Sequence, residues 1–368
     1  MAAERLAHAG VRTLLIDEKM AWEKPCGGGV TFKAYSQYPF LTTGRSHPVS
    51  TTWLHADSTT PVRLALEKPL LVFSRRELNQ LLLDRAAAAG AELLTTRVTA
   101  VEREAKSWSL TTRSGPLQAD HLIIATGARN PLRNFGTSWT PSDTMVALGY
   151  YIPSDQPHID IQFFADLEGY IWLFPRCGHL SAGICGKGVT AAALRQRLED
   201  YLAQRGISYT DGQFYAHMLP ALATESWPNN RLAGPGWLAV GDSAGLVDPV
   251  TGEGIYYAMR SGELAGQLLA EGRPEVYAAQ VELEFGADLA YASTLARRMY
   301  LGRFCGGANT TRMLQFLRRS PRIQAVMQEL FAGTISYREL RARIRGNFKS
   351  TMAEIAINSF LRRIVTPN

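Results

Sequence analysis

The chain opens on AAERLAHAG, an amphipathic pattern that a short helix stopping at Gly10 satisfies. Val11–Asp17 (VRTLLID) follows as an apolar run ending in an acid, which predicts a buried strand. Leu71–Leu94 reads as a strand, an amphipathic helix and a return strand. Ala119–Asn130 (ADHLIIATGARN) is a buried strand that ends in small residues, where backbone can approach a ligand closely. Trp237–Leu269 runs from an apolar strand through Gly241-Asp242, then through a loop holding Asp248-Pro249 and Gly252-Glu253-Gly254, into a helix starting near Ile255. Between these segments, from Met145 to Gly186, short alternating or apolar runs are broken by Pro, Gly and Asp. They predict an antiparallel sheet in a second lobe. From Val276 onward the spacing is helical, with Pro321 as a break. No internal repeat or low-complexity tract interrupts this order, and no apolar run approaches the ~18 residues of a membrane span.

Helix, tight turn, strand and acid form the second half of a dinucleotide-binding βαβ unit, in which the acid accepts hydrogen bonds from an adenosine ribose. Asp17 is the better-placed acid and Glu18 the fallback. Neither a first strand nor a GxGxxG turn stands before it. That pattern predicts that Met1 is an internal methionine, preceded in the gene by roughly 10–20 residues encoding the strand and turn. It also predicts a parallel sheet lacking its central strand, with apolar neighbours exposed. In the Trp237–Leu269 segment, Asp242 after a strand can accept hydrogen bonds from ribityl hydroxyls. The glycines around Glu253 keep backbone close to a planar ring, and the N–H groups opening the next helix suit the edge of that ring where negative charge gathers.

Composition narrows the setting. At 368 residues the chain is long enough for two lobes, and 46% hydrophobic with 20% charged residues excludes a disordered or fibrous protein. The four cysteines (26, 177, 185, 305) show no CxxC pair, so they read as thiols in a reducing compartment. No signal peptide is visible, and the seven histidines fall at no metal-binding spacing. The net charge of +6 is unevenly spread. Arg297–Asn368 carries 14 Lys and Arg against 3 Asp and Glu, a surplus of 11, which leaves the rest of the chain at −5. A basic tail on a mildly acidic body predicts an anionic partner. Nucleic acid is not expected, because no binding motif or aromatic-interleaved basic stretch is present.

GDSAGLVDPVTGEGIYYAM (241–259) strongly resembles the flavin-binding segment of the FAD-dependent superfamily that includes para-hydroxybenzoate hydroxylase. KPCGGGVT (24–31) and GYIWLFP (169–175) narrow the resemblance to the geranylgeranyl reductase family, over Met1 to about Gly272 and more loosely beyond. The resemblance implies an α/β fold. Its FAD-binding domain, of the glutathione reductase type, is interleaved with an antiparallel substrate sheet and followed by a helical segment. The expected division is 1–47, 70–130 and 231–275 for FAD, 48–69 and 131–230 for substrate, and 276–368 for the helical region. By position, Asp17 would hold the adenosine ribose, Arg75 the phosphate–ribityl arm, and Gly127 the adenosine side. Asp242 would take the ribityl–phosphate region, and Gly252, Gly254 and Ile255 would line the isoalloxazine. Cys26, Gly27 and Gly28 would sit near the ring, beside substrate. Tyr170, Trp172 and Phe174 would line the prenyl channel.

The implied activity is reduction of isolated double bonds in a geranylgeranyl or polyprenyl chain, with electrons from NADPH or ferredoxin. Such an alkene accepts hydride only with proton donation to its other carbon. Tyr170 and Trp172 suit stabilisation of the developing cation, an effect of ~0.5–2 kcal/mol per ring. Cys26 and the reduced flavin are both open as proton donor. The alternatives are an aromatic hydroxylase or halogenase of the same superfamily, or an inactive FAD-fold remnant. A prenyl lipid substrate without a spanning helix implies a cytoplasmic enzyme that meets a bilayer peripherally through Arg297–Arg363, with acidic ferredoxin as the rival partner for that surface.

Overall fold

The computed structural model describes residues 1–132, 135–347, 349–350, 353–355 and 358. The chain divides into two compact units: Met1–Lys24, Ser74–Met145 and Met218–Ser293, and then Pro25–Phe73, Val146–His217 and Thr294–Asn368. Residues 25–47 and 70–73, grouped with the FAD-binding domain by sequence, fall in the second unit.

In the first unit the expected helix, turn and strand are Ala2–His8 and Leu14–Asp17. Leu14–Asp17 pairs in parallel with Glu92–Thr95, the strand that follows the helix Arg75–Ala88. A separate parallel pair joins Leu122–Ile124 to Trp237–Ala239, with Ala233–Gly234 added antiparallel. The parallel sheet therefore comes as two pieces, and Leu14 and Leu93 of the first piece are 39% and 41% exposed. A three-stranded antiparallel meander, 98–119, completes the strands of this unit among the described residues. The helix Ile255–Ala270 packs against Ala2–His8 at close range. A Cβ on Gly266 would lie 2.6 Å from the Ala2 carbonyl oxygen, so only glycine permits that approach.

The second unit is built on one eight-stranded sheet, from Gln213–Pro220 at one edge to Gly29–Val30 at the other. Thr144–Ile152, His179–Gly186, Gly169–Arg176 and Ile159–Phe163 pair antiparallel in that order, as do Ser46–Ala56, Val62–Phe73 and Gly29–Val30, and Ile159–Phe163 runs parallel to Ser46–Ala56. Alternation along Gly169–Arg176 sorts the side chains between two cores. Ile171 and Leu173 join a cluster with Leu194 and Leu198 of the helix Ala191–Gln204. Tyr170 and Phe174 pack instead against a cluster that includes Tyr300, Leu314 and Met327 from the C-terminal helices. The region after Val276 is helical as expected, apart from a hairpin at Arg303–Phe304 and Gly307–Ala308. The helix Tyr337–Gly346 lies near its end, and Arg362 and Arg363, the end of the expected basic face, lie outside the described residues.

All four cysteines are free. Cys185 is fully buried on its strand, and burial pushes its thiol up to about 12. A buried polar network also sits in this unit. Asp160 (2% exposed) accepts from His55 Nε2 at 2.7 Å and Gln156 Nε2 at 3.2 Å, with His158 Nε2 at 3.2 Å and the Arg205 guanidinium at 3.5 Å. Burial alone would raise its pKa. The His55 hydrogen bond and the Arg205, His158 and His55 charges outweigh it and hold Asp160 below its ordinary value.

Candidate active site

In the first unit, the loop after Trp237–Ala239 is fixed by its own backbone. Gly241 takes φ +56°, its N–H donates to Ser261 Oγ at 3.0 Å, and a Cβ there would meet Ala258 at 2.9 Å. The Asp-Pro-Val-Thr-Gly-Glu-Gly stretch is closed by Asp248. Its Oδ1 accepts from the N–H groups of Val250 (2.8 Å) and Thr251 (3.2 Å). Its carbonyl accepts from Gly252 at 2.8 Å, and its own N–H donates to Glu253 at 2.9 Å. Gly252 sits at φ +73°. Gly254 caps the helix Ile255–Ala270, and a Cβ on it would lie 3.3 Å from Asp242 Oδ1. The acid, the glycine turn and the helix start are thus brought together, as the motif spacing implied.

The other expected cofactor residues of this unit lie at chain turns. Gly127 has φ +78° directly after Leu122–Ile124. Asp17 is exposed at the end of its strand, where Oδ1 accepts from the N–H groups of Lys19 (2.7 Å) and Met20 (2.8 Å). Arg75 opens its helix, and its Nε is buried with no hydrogen-bond partner among the described residues. Sequence reasoning passed over three groups. Glu23 accepts from Ser74 Oγ and from the N–H groups of Arg75 (2.8 Å) and Arg76 (3.3 Å), capping that helix from a distant loop. Lys24 places Nζ 3.4 Å from Asp242 Oδ2. Asp248 is the turn-closing acid. Lys24 and Asp248 stood inside the quoted motifs, but nothing local marks their partners. A buried guanidinium nitrogen with no acceptor among the described residues, left-handed glycines and a helix N-terminus offer donors, and the Asp242 carboxylate an acceptor, of the kinds a flavin dinucleotide requires, so these residues fit FAD.

In the second unit, the Cys26–Gly29 segment is clasped by the Gly169–Arg176 and His179–Gly186 strands. Arg176, 1% exposed, donates through Nη2 to the Cys26 carbonyl and through Nε to the Gly27 carbonyl at 3.2 Å. Ser181 Oγ donates to the Cys26 carbonyl at 3.0 Å, lies 3.1 Å from the Tyr215 hydroxyl, and has Trp172 Nε1 at 3.5 Å. Gly28 donates to Cys26 Sγ at 3.3 Å and accepts from Phe73 at 2.9 Å. Gly28 is required by a close neighbour, and Gly27 and Gly29 are tightly packed. A Cβ on Gly27 or Gly29 would approach the Phe174 ring to 3.1 or 3.3 Å, and one on Gly28 would lie 2.2 Å from the Phe73 carbonyl oxygen. Trp172 is 6% exposed, edge-on to Tyr170 with ring centres 6.1 Å apart, and Tyr170 stacks on Tyr300 at 6.5 Å. Gly183 makes room for the indole, since a Cβ there would sit 2.2 Å from it. Cys26, Trp172 and Phe174 therefore meet in one place. Arg176, Ser181 and Tyr215, which hold that place, had no signal beyond Arg176 following Pro175. Among the described residues no group of His, Cys, Asp and Glu could hold a metal ion.

No family model matches the chain. The menaquinone reductase of Mycobacterium tuberculosis is similar at 30% identity over 346 residues, 82% of this chain and 82% of that protein. Digeranylgeranylglycerophospholipid reductase 2 of Methanothermobacter thermautotrophicus is similar at 28% identity, over 73% of this chain and 74% of its own. Among solved structures, a geranylgeranyl bacteriochlorophyll reductase-like protein of Thermoplasma acidophilum superposes with a TM-score of 0.76 at 20% identity, covering 94% of this chain and 95% of its own.

Proposed function

The chain belongs to the geranylgeranyl reductase family of FAD-dependent oxidoreductases, and on that premise we propose that it reduces isolated double bonds of a geranylgeranyl or polyprenyl chain. One observation supports this reading most: the Cys26 segment and the Tyr170–Phe174 strand, some 150 residues apart, meet at the Ser181 hydroxyl. FAD, when bound, supplies the hydride. Asp17, Arg75, Gly127, Asp242, Gly252, Gly254 and Ile255 would hold it, and Gly27 and Gly28 set the path of the Cys26 segment. Tyr170 and Trp172 offer ring faces to positive charge developing at the tertiary carbon, and Phe174 lines the channel while seating the glycines. Cys26, half-buried with its sulfur accepting the Gly28 N–H, is the proton donor in this reading; the atoms balance as one hydride and one proton added per double bond.

The electron donor in the same reading is NADPH or reduced ferredoxin. The lipid substrate is met at a membrane surface through the basic C-terminal region. No described helix is long and apolar enough to cross a membrane. The helix Tyr337–Gly346 exposes Arg341, Arg345 and, at 44%, Ile344, a cationic face with an apolar foot.

The test is product mass. FAD-loaded protein reduced under anaerobic conditions should add two hydrogens per bond to geranylgeranyl diphosphate, a geranylgeranylated lipid or menaquinone. An oxygenated or halogenated aromatic product, with the prenyl substrates untouched, overturns the reading. Reduction of the bound flavin by NADPH or by reduced ferredoxin, read as loss of the oxidised flavin absorbance, separates the donors, and sedimentation that favours anionic over neutral vesicles supports the surface contact.

A further inference from the structure

Lys24 stands between two residues expected to hold a dinucleotide. Its Nζ lies 3.4 Å from Asp242 Oδ2 and 3.8 Å from the point a Cβ on Gly127 would occupy. Asp242 is the residue expected at the ribityl end of FAD, and Gly127 is expected at its adenosine side. The piece of the cofactor between ribityl and adenosine is the pyrophosphate. We propose that Lys24 is a cofactor-binding residue whose ammonium neutralises the FAD pyrophosphate while orienting Asp242. The proposal rests on the reading of this chain as an FAD enzyme.

A cation at this point would relieve a charge conflict. Two phosphate charges brought beside the Asp242 carboxylate repel it unless a positive group is shared between them. The helix N-terminus at Arg75, a ready-made anion seat, is already filled, because the Glu23 carboxylate accepts its first N–H groups at 2.8 and 3.3 Å. Glu23 is the residue before Lys24, so the cap that closes that seat also fixes where the lysine emerges. Lys24 and Asp242 are only 25% and 17% exposed, so water screens the pair weakly. A flexible ammonium can reach a phosphate oxygen without leaving the carboxylate.

The phosphate assignment is tested by comparing flavins that differ only in that part. FAD and riboflavin are titrated into the full chain, wild type and Lys24→Met, and binding is read from flavin fluorescence. Loss of about tenfold to a hundredfold in FAD affinity is expected, with riboflavin affinity changed less than about twofold. Lys24→Arg should restore most of the FAD affinity. Raising salt on the wild type should weaken FAD and spare riboflavin, which keeps the test alive if Lys24→Met does not fold. Equal loss for both flavins, or no loss for either, overturns the role of Lys24. A wild-type chain that binds neither flavin overturns the FAD reading instead.

Discussion

The two candidate regions are held in opposite ways. Around Cys26 the polar groups of the segment are answered by buried protein partners: Arg176 and Ser181 on the carbonyls, Phe73 on Gly28, and Phe174 beneath Gly27 and Gly29. In the first unit Asp242 has the Lys24 ammonium at 3.4 Å, Arg75 keeps a buried nitrogen with no acceptor among the described residues, and Asp17 is exposed. A buried polar atom left unanswered is costly, and it persists where a ligand completes it. Completed hydrogen bonds instead define a shape. The contrast fits the proposed roles, positioning for the Cys26 segment and binding for the Asp242 loop.

Removing Arg176 is the strongest way to break that contrast. Arg176→Met leaves the Cys26 and Gly27 carbonyls short of donors in a buried site, and a loss of about 3–5 kcal/mol in unfolding free energy is expected by denaturant titration. Unchanged stability would show that the clasp is incidental. Gly28→Ala acts on the same segment from the other side. Its φ of +88° and the 2.2 Å approach to Phe73 imply a loss of roughly 2–4 kcal/mol. Asp242→Ala should do the reverse: thermal stability close to wild type, and FAD affinity weaker by about 1.5–3 kcal/mol. If it unfolds the protein instead, the binding assignment fails. Asp17→Ala should lower FAD affinity less than Asp242→Ala, since its exposed carboxylate contributes one of several anchors.

The smallest effect concerns acid. Asp160 is held below its ordinary value in the folded protein, so its contribution is present above the unfolded carboxyl pKa of about 3.9 and disappears as pH falls through the folded value. Denaturation midpoints measured between about pH 6 and pH 3 should therefore fall less steeply in Asp160→Asn than in wild type. Parallel curves would remove Asp160 from the acid response.

Much of this was legible in the chain because the signals were local. The acid after Leu14–Asp17, the Gly-rich turn into Ile255 and the alternation of Tyr170, Trp172 and Phe174 are short-range patterns with periods a sequence displays. What stayed hidden was pairing at long range. Lys24 meets Asp242 across 218 positions, Arg176 meets Cys26 across 150, and His55 meets Asp160 across 105. The histidines were set aside for lacking metal spacing, yet His55 and His158 converge on one carboxylate through the register of two parallel strands. Trp172 shows a further limit. The stripe Tyr-x-Trp-x-Phe reads alike for a channel wall and a packed face, and here the indole is nearly enclosed beside Gly183.

The four thiols, none of them in a disulfide, give the molecule a built-in clock. Cys305 lies open, Cys26 and Cys177 are half-covered, and Cys185 is sealed in its strand with its thiol pushed to about 12. Alkylation needs the thiolate, so the rate at which each sulfur reacts counts how often its surroundings part. Cys305 reports the hairpin, Cys26 the glycine segment, and Cys185 the opening of the eight-stranded sheet itself. Mass spectrometry of one timed alkylation reads all of them at once, with no label added and no residue changed.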